Sequence, residues 1–174
     1  MDDLNSRLKN PDTRRAAFEE TVNRYGERLY RHIRSMVLDH DDADDVLQDT
    51  FMKAWAALDS FKGEAQVSTW LYRIATNECL SFLARKRSSV AIDDTDVART
   101  LQSDPYFDGD ELQVRFQQAV ASLPDKQRQV FNLKYYDQMK YEEMSEILGT
   151  SVGALKASYH IAVKKIEQFF NEDE

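Results

Sequence analysis

Two clusters of side chains have the types and spacing to hold a partner. Trp70 and Tyr72 stand beside a short loop, Phe61 to Val67, and lead into Arg73, Asn77 and the basic run Arg85, Lys86, Arg87. Aromatic rings stack on exposed bases and cations follow phosphates, so this set has the chemistry to hold a single nucleic-acid strand. Basic residues at a helix C-terminus are also ordinary dipole partners, and that alternative stays open. The second cluster is Asp45, Gln48 and Asp49, which share one helical face as an acidic strip suited to a basic partner or to solubility.

Covalent chemistry finds no comparable cluster. His32, His40 and His160 fall on different predicted elements, no Ser or Cys has a base at motif spacing, and no glycine-rich phosphate loop is present. Asp41, Asp42, Asp44 and Asp45 lack the alternate-position ligands, central Gly and closing Glu of a calcium loop. The single cysteine, Cys79, excludes a disulfide framework or a cysteine metal site. No enzyme, cofactor or metal is expected.

These clusters need helices to position them. Of 174 residues only 5 are Gly and 3 Pro, which favours an all-α protein, and 42% hydrophobic residues suffice to fill cores. Phe18, Val22, Tyr25, Leu29, Ile33 and Met36 mark one helical face after an entry at Pro11 and Asp12, opposite the basic face Arg24, Arg28, Arg31 and Arg34. Asp41 or Asp42 is expected to cap the next helix, whose core stripe is Val46, Leu47, Ala54, Trp55 and Leu58. Gly63 gives the following loop its freedom. Ser68 or Thr69 then caps a third helix burying Leu71, Ile74, Ala75, Cys79, Phe82 and Leu83, with Trp70 and Tyr72 at its entrance.

From Ser88 the helical period fades, apart from a possible turn around Val97 to Leu101. Between Asp93 and Glu111 seven acids face Arg99 alone, so this tract holds most of the net charge of -8. The chain thus divides into two helical modules joined by an acidic linker. The second contains Leu112, Phe116, Ala119, Val120 and Leu123, a helix started by Pro124 that carries Val130, Phe131, Leu133 and Tyr135, and a last stretch, Tyr141 to Phe170. There a short helix with Tyr141, Met144, Ile147 and Leu148 stops at Gly149, and Thr150 or Ser151 caps a longer one carrying Val152, Leu155, Tyr159, Ala162, Ile166 and Phe169. That is the packing logic of a helix-turn-helix, although a plain helical hairpin has the same pattern. The polar start has no signal-peptide run and no stretch reaches membrane-spanning length, so a cytoplasmic protein without membrane insertion is expected.

In this order the modules resemble the extracytoplasmic-function (ECF) group of bacterial RNA polymerase sigma factors. DADDVLQDTFMKAW is similar to the segment that grips the polymerase clamp helices, STWLYRIATNECLSFLARKR to the part that melts and reads the -10 promoter element, and LPDKQRQVFNLKYYDQMKYEEMSEILGTSVGALKASYHIAVKKI to the domain that reads the -35 element. The resemblance implies a region 2-like domain over 1–88, a linker over 89–111 and a region 4-like domain over 112–174. It implies that Asp45, Gln48 and Asp49 face the clamp, and that the loop with Lys62 holds a flipped-out base. Trp70, Arg73 and Asn77 would then lie along the melted strand, with Arg85, Lys86 and Arg87 on its backbone. On the last helix it assigns Gly153, Lys156, Ala157, Ser158, His160 and Lys164 to the -35 element. Core RNA polymerase, promoter DNA and an anti-sigma factor are the implied partners.

The sequence departs from the group's pattern in four places. Ser158 stands where an Arg is common, Ile161 and Val163 replace basic residues often found after the His, and Ser81 stands where Asp is usual. The last helix is therefore poor in fork-shaped donors, and recognition is expected to lean on backbone contacts and DNA shape. Ile161 either touches a thymine methyl or packs on a neighbouring helix. A stand-alone helix-turn-helix regulator is the main rival, distinguished by promoter binding without polymerase; a helical adaptor would show no nucleic-acid role even with it.

Overall fold

Apolar residues three and four apart recur along almost the whole chain, and the computed structural model answers them with helices. It describes residues 4–89 and 109–172. The turn expected around Val97 to Leu101 and most of the acidic linker lie outside the described residues. Eight α-helices run in order among them: α1 (Leu4–Lys9), α2 (Arg14–Val37), α3 (His40–Ala56), α4 (Val67–Ser89), α5 (Glu111–Ala121), α6 (Asp125–Tyr135), α7 (Tyr141–Leu148) and α8 (Val152–Asn171). A single 3-10 turn, Leu58–Ser60, separates α3 from the loop before α4. No strand occurs among the described residues, in agreement with the all-α expectation.

The first module packs α2, α3 and α4 around Leu29, Ile33, Met36, Val46, Ala54, Leu71 and Cys79, all buried. Each fully buried Leu or Ile of this set contributes about 1.5–3 kcal/mol relative to exposure. The polar start conceals a helix: α1 buries Leu4 and Leu8 one turn apart, a pair too short to betray itself as a period. The second module closes a smaller core from Val120, Leu123, Phe131, Ala162 and Ile166, with Phe116, Tyr159 and Phe169 packed on it.

Several local expectations need correction. Asp39, not Asp41 or Asp42, caps α3, its carboxylate accepting from the Asp42 N–H at 3.0 Å; Asp41 and Asp42 occupy the first turn, where they still suit the dipole. Helix α4 begins at Val67, so Ser68 and Thr69 lie inside it and are buried rather than capping. Trp55 is 44% exposed and Leu112 is 65% exposed, so neither is a core residue; Trp55 rests only one edge on Phe18, 5.2 Å between ring centroids. Tyr72 is not at an entrance but buried, and burial with the nearby Asp137 charge raises its hydroxyl above the usual range.

The two modules are not strung apart: one apolar cluster runs from α2, α3 and α4 into Val130, Leu133, Met139, Met144, Ile147 and Leu155. Buried polar groups stitch the same boundary. The Gln129 amide donates to the Thr76 carbonyl at 3.0 Å, the Asn132 amide to the Ser35 carbonyl at 3.2 Å, and His32 Nδ1 meets Asp137 Oδ2 at 3.1 Å. Amides are rarely interior, and no pattern in the sequence marks Gln129 and Asn132 as buried.

Candidate nucleic-acid interface

Along α3 the spacing that places Val46, Thr50 and Ala54 inside turns Asp45, Gln48 and Asp49 outwards, and all three are exposed. The strip does not stay acidic, nor separate from Trp55. One turn further lies Met52, 69% exposed, and Trp55 follows on the same side, so the surface grades from carboxylates into apolar groups. A partner matching it would be basic at one end and apolar at the other. Met52 stands seven residues after Asp45, two helical turns on, but a lone methionine carries no signal of this in sequence.

The loop before α4 is held more firmly than its glycine implied. Asn5 of α1 donates to the Ala65 carbonyl at 3.2 Å and reaches the Gly63 carbonyl at 3.5 Å. Gly63 sits at φ 71°, so the backbone favours glycine there; a Cβ would lie 2.6 Å from the Lys9 side chain, whose flexible, exposed end can swing aside. Lys62 is exposed at the loop tip. Phe61 is buried against the half-buried Trp70, ring centroids 4.6 Å apart, which braces the indole while leaving part of it accessible. Sequence reasoning missed the role of α1 here entirely.

Beyond Trp70 the helical period brings Arg73 and Asn77 to one exposed face, with Arg85 and Arg87 exposed near the end of α4. The cations are engaged by the chain itself. Arg73 Nε donates to the Glu146 carbonyl of α7 at 2.9 Å, Lys86 pairs with Asp42 at 3.0 Å, and Arg87 pairs with Asp125 at the start of α6. Asp125 also meets Arg128 at 3.3 Å, and burial together with Arg87 lowers the Arg128 guanidinium to about 10. Behind this face Cys79 is sealed, its thiol pushed up to about 12 by burial, so it is a packing residue.

The turn between α7 and α8 follows its chemistry. Gly149 adopts φ 65°, the left-handed cap, with open space where a Cβ would lie, so conformation rather than close helix crossing demands glycine. Ser151 rather than Thr150 caps α8, accepting from the Ala154 N–H at 3.2 Å. Helix α8 buries Leu155, Ala162 and Ile166, and therefore exposes Gly153, Lys156, Ala157, His160 and Lys164; Ser158 is half-buried. Nothing lies within 4 Å of where a Gly153 side chain would begin, so the helix backbone is open to close approach there. Lys156 Nζ lies 5.7 Å from the Tyr141 ring centroid. Of the two alternatives for Ile161, packing on a neighbouring helix fails, because the side chain is 46% exposed.

Comparison with known proteins gives the family. The family description "Sigma-70 region 2" matches residues 21–89, and "Sigma-70, region 4" matches residues 113–166. The ECF RNA polymerase sigma factor SigW of Bacillus subtilis is 34% identical over 157 residues, covering 83% of each chain. The RNA polymerase sigma-H factor of Pseudomonas aeruginosa is 29% identical over 182 residues, covering 95% of this chain and 91% of that one. Among solved structures, CnrH in complex with the cytosolic domain of CnrY superposes with a TM-score of 0.70 at 26% identity, covering 98% of this chain and 97% of that one. The sigma factor RpoE in complex with the anti-sigma factor NepR, from Bartonella quintana, gives 0.66 at 27% identity, covering 90% and 98%. The chain belongs to the sigma-70 family, within its ECF group. It serves promoter-specific initiation of transcription by RNA polymerase. Among the described residues no helix is long and apolar enough to cross a membrane.

Proposed function

We propose that the work of initiation divides between a region 2-like domain over 1–88 and a region 4-like domain over 112–174, joined by the acidic linker. Asp45, Gln48 and Asp49 dock the polymerase clamp, with Met52 extending the contact. The loop carrying Lys62 receives one flipped-out base. Trp70, Arg73 and Asn77 follow the melted -10 strand, and Arg85, Lys86 and Arg87 neutralise its phosphates. The exposed face of α8 enters the -35 groove: Gly153 and Ala157 let the backbone approach, Lys156 and Lys164 meet phosphates, and Ser158 and His160 reach base edges. Ile161 is placed to touch a thymine methyl.

The observation that carries this reading is the sorting of α8, where Leu155, Ala162 and Ile166 are buried while small and basic residues occupy the outer face. The net charge of -8 fits the same scheme. Each module alone has few cations to offer, so affinity of the isolated chain for DNA is low. Once polymerase holds both modules, the second contact becomes intramolecular, with effective concentrations of about millimolar. The protein does no covalent chemistry, acts in the cytoplasm beside polymerase, and is held in check by an anti-sigma factor, as RpoE is bound by NepR in the related structure.

Run-off transcription with bacterial core polymerase on a pool of candidate promoters tests the reading. Transcripts are expected to require this protein and to vanish with the double variant Asp45→Lys, Asp49→Lys. Clean duplex binding by the protein alone, with neither core binding nor transcripts, would instead support a stand-alone regulator.

A further inference from the structure

Helix α1 is laid against the loop that is given the flipped-out base. Backbone bonds close the loop at its two ends, from the Phe61 N–H to the Leu58 carbonyl at 3.2 Å and from the Trp70 N–H to the Gln66 carbonyl at 3.1 Å. Between them the Asn5 side-chain amide donates to the carbonyls of Ala65 at 3.2 Å and Gly63 at 3.5 Å, from 60 and 58 positions away in the chain. A helix of six residues does not hold in water by itself, and α1 is fastened on every side. Leu4 and Leu8 are buried, Arg7 pairs with Glu20 of α2 at 2.6 Å, and the Thr13 hydroxyl donates to the Arg7 carbonyl at 2.8 Å. Arg14 donates to the Lys9 carbonyl at 3.3 Å and pairs with Asp59 at 2.7 Å, which ties the end of α1 to the turn before the loop. The Lys9 side chain lies over Gly63, its Cε and Nζ 2.6 and 3.1 Å from where a Cβ would begin. Lys9 and Lys62 are both exposed, so two ammonium groups flank a loop whose one carboxylate is Glu64. Asn5 and Lys9 both stand before the residues that the region 2 description covers.

We propose that α1 is part of the -10 interface: Asn5 is a positioning residue that sets the loop to one base, and Lys9 contacts a strand phosphate beside that base. The proposal rests on the reading of this loop as the receptor of the base. A loop whose peptide units are already held gives up little freedom when the base enters, so rearrangement does not blunt its choice. A phosphate contact carries no sequence information and acts on every base alike. The two residues therefore leave separate signatures, one in preference and one in affinity.

The test uses the full chain bound to core polymerase, on fork DNA whose -10 tract is single-stranded on the non-template side. Each position of the tract is changed in turn through the four bases, and binding is measured by competition at several salt concentrations. The parent is expected to prefer particular bases, one of them held by the loop. Asn5→Asp keeps the shape but has no N–H to give, and is expected to lose about fivefold of the preference at that single position. Asn5→Ala, which removes the donor without adding a charge, is expected to match it. Lys9→Ala is expected to weaken binding by one factor for all four bases and to make the salt dependence shallower by about one phosphate contact. Footprints over the -35 element report that each variant is folded and docked. Undiminished preference in Asn5→Ala would overturn the positioning role, as would an equal loss at every position, the mark of a merely loosened fold. Parental affinity and salt dependence in Lys9→Ala would overturn the phosphate contact. A parent without base preference anywhere in the tract would instead remove the reading of the loop, and this inference with it.

Discussion

Helices α4 and α8 both carry cations and the proposed function offers both to nucleic acid, yet they are built on opposite plans. The outer face of α4 is occupied: Arg73, Lys86 and Arg87 are held by Glu146, Asp42 and Asp125 of the same chain. The outer face of α8 projects into solvent, with His160 and Lys164 exposed and Gly153 open. The difference matches the ligands. A duplex presents a fixed groove, so a rigid helix with small residues reads it without rearrangement. A melted strand exists only after opening, so cations and rings waiting for it in the open would collect any polyanion first.

The rigid plan is the easier one to break. Leu155→Ala removes a fully buried side chain beneath the outward face of α8, and a loss of about 2–5 kcal/mol is expected in chemical denaturation. Because the apolar cluster runs through Leu155 into the first module, α4 is expected to lose stability in the same transition. Two separate transitions would show that the modules do not share a core. A smaller effect isolates the helix start: Ser151→Ala deletes the cap on the Ala154 N–H and is expected to cost about 1 kcal/mol, lowering the midpoint of that shared transition while the folded chain keeps the Arg73 contact to the Glu146 carbonyl. An equal loss of the Arg73 contact in that variant would mean the two faces are mechanically coupled through α7.

The same contrast decided what the sequence disclosed. Helix α8 was legible because its cap, its left-handed glycine stop and its stripe of Leu155, Ala162 and Ile166 are local signals, each within a few residues of the next. The acidic strip was legible in Asp45, Gln48 and Asp49 for the same reason. Asp39 was hidden as a cap because a run of aspartates after it offered equally good candidates. Trp55 misled because aromatic size argues for burial while its helical angle places it at the edge of the core stripe. What could not be read was the boundary between modules. Its contacts join His32 to Asp137, Ser35 to Asn132 and Thr76 to Gln129, pairs far apart in the chain, through polar side chains that sequence alone assigns to solvent. Periodicity reports which way a residue faces along its own helix. It says nothing of a second module laid across that face.

The division of labour between the two helices is tested most directly by permanganate probing of unpaired thymines in the polymerase–promoter complex. With the parent protein, thymines around the -10 element are expected to react. With Arg73→Ala and Asn77→Ala that reactivity is expected to disappear while protection over the -35 element persists, because α8 still docks. Thymine reactivity at the parent level in that variant would contradict the account, since strand opening would then not depend on the face of α4.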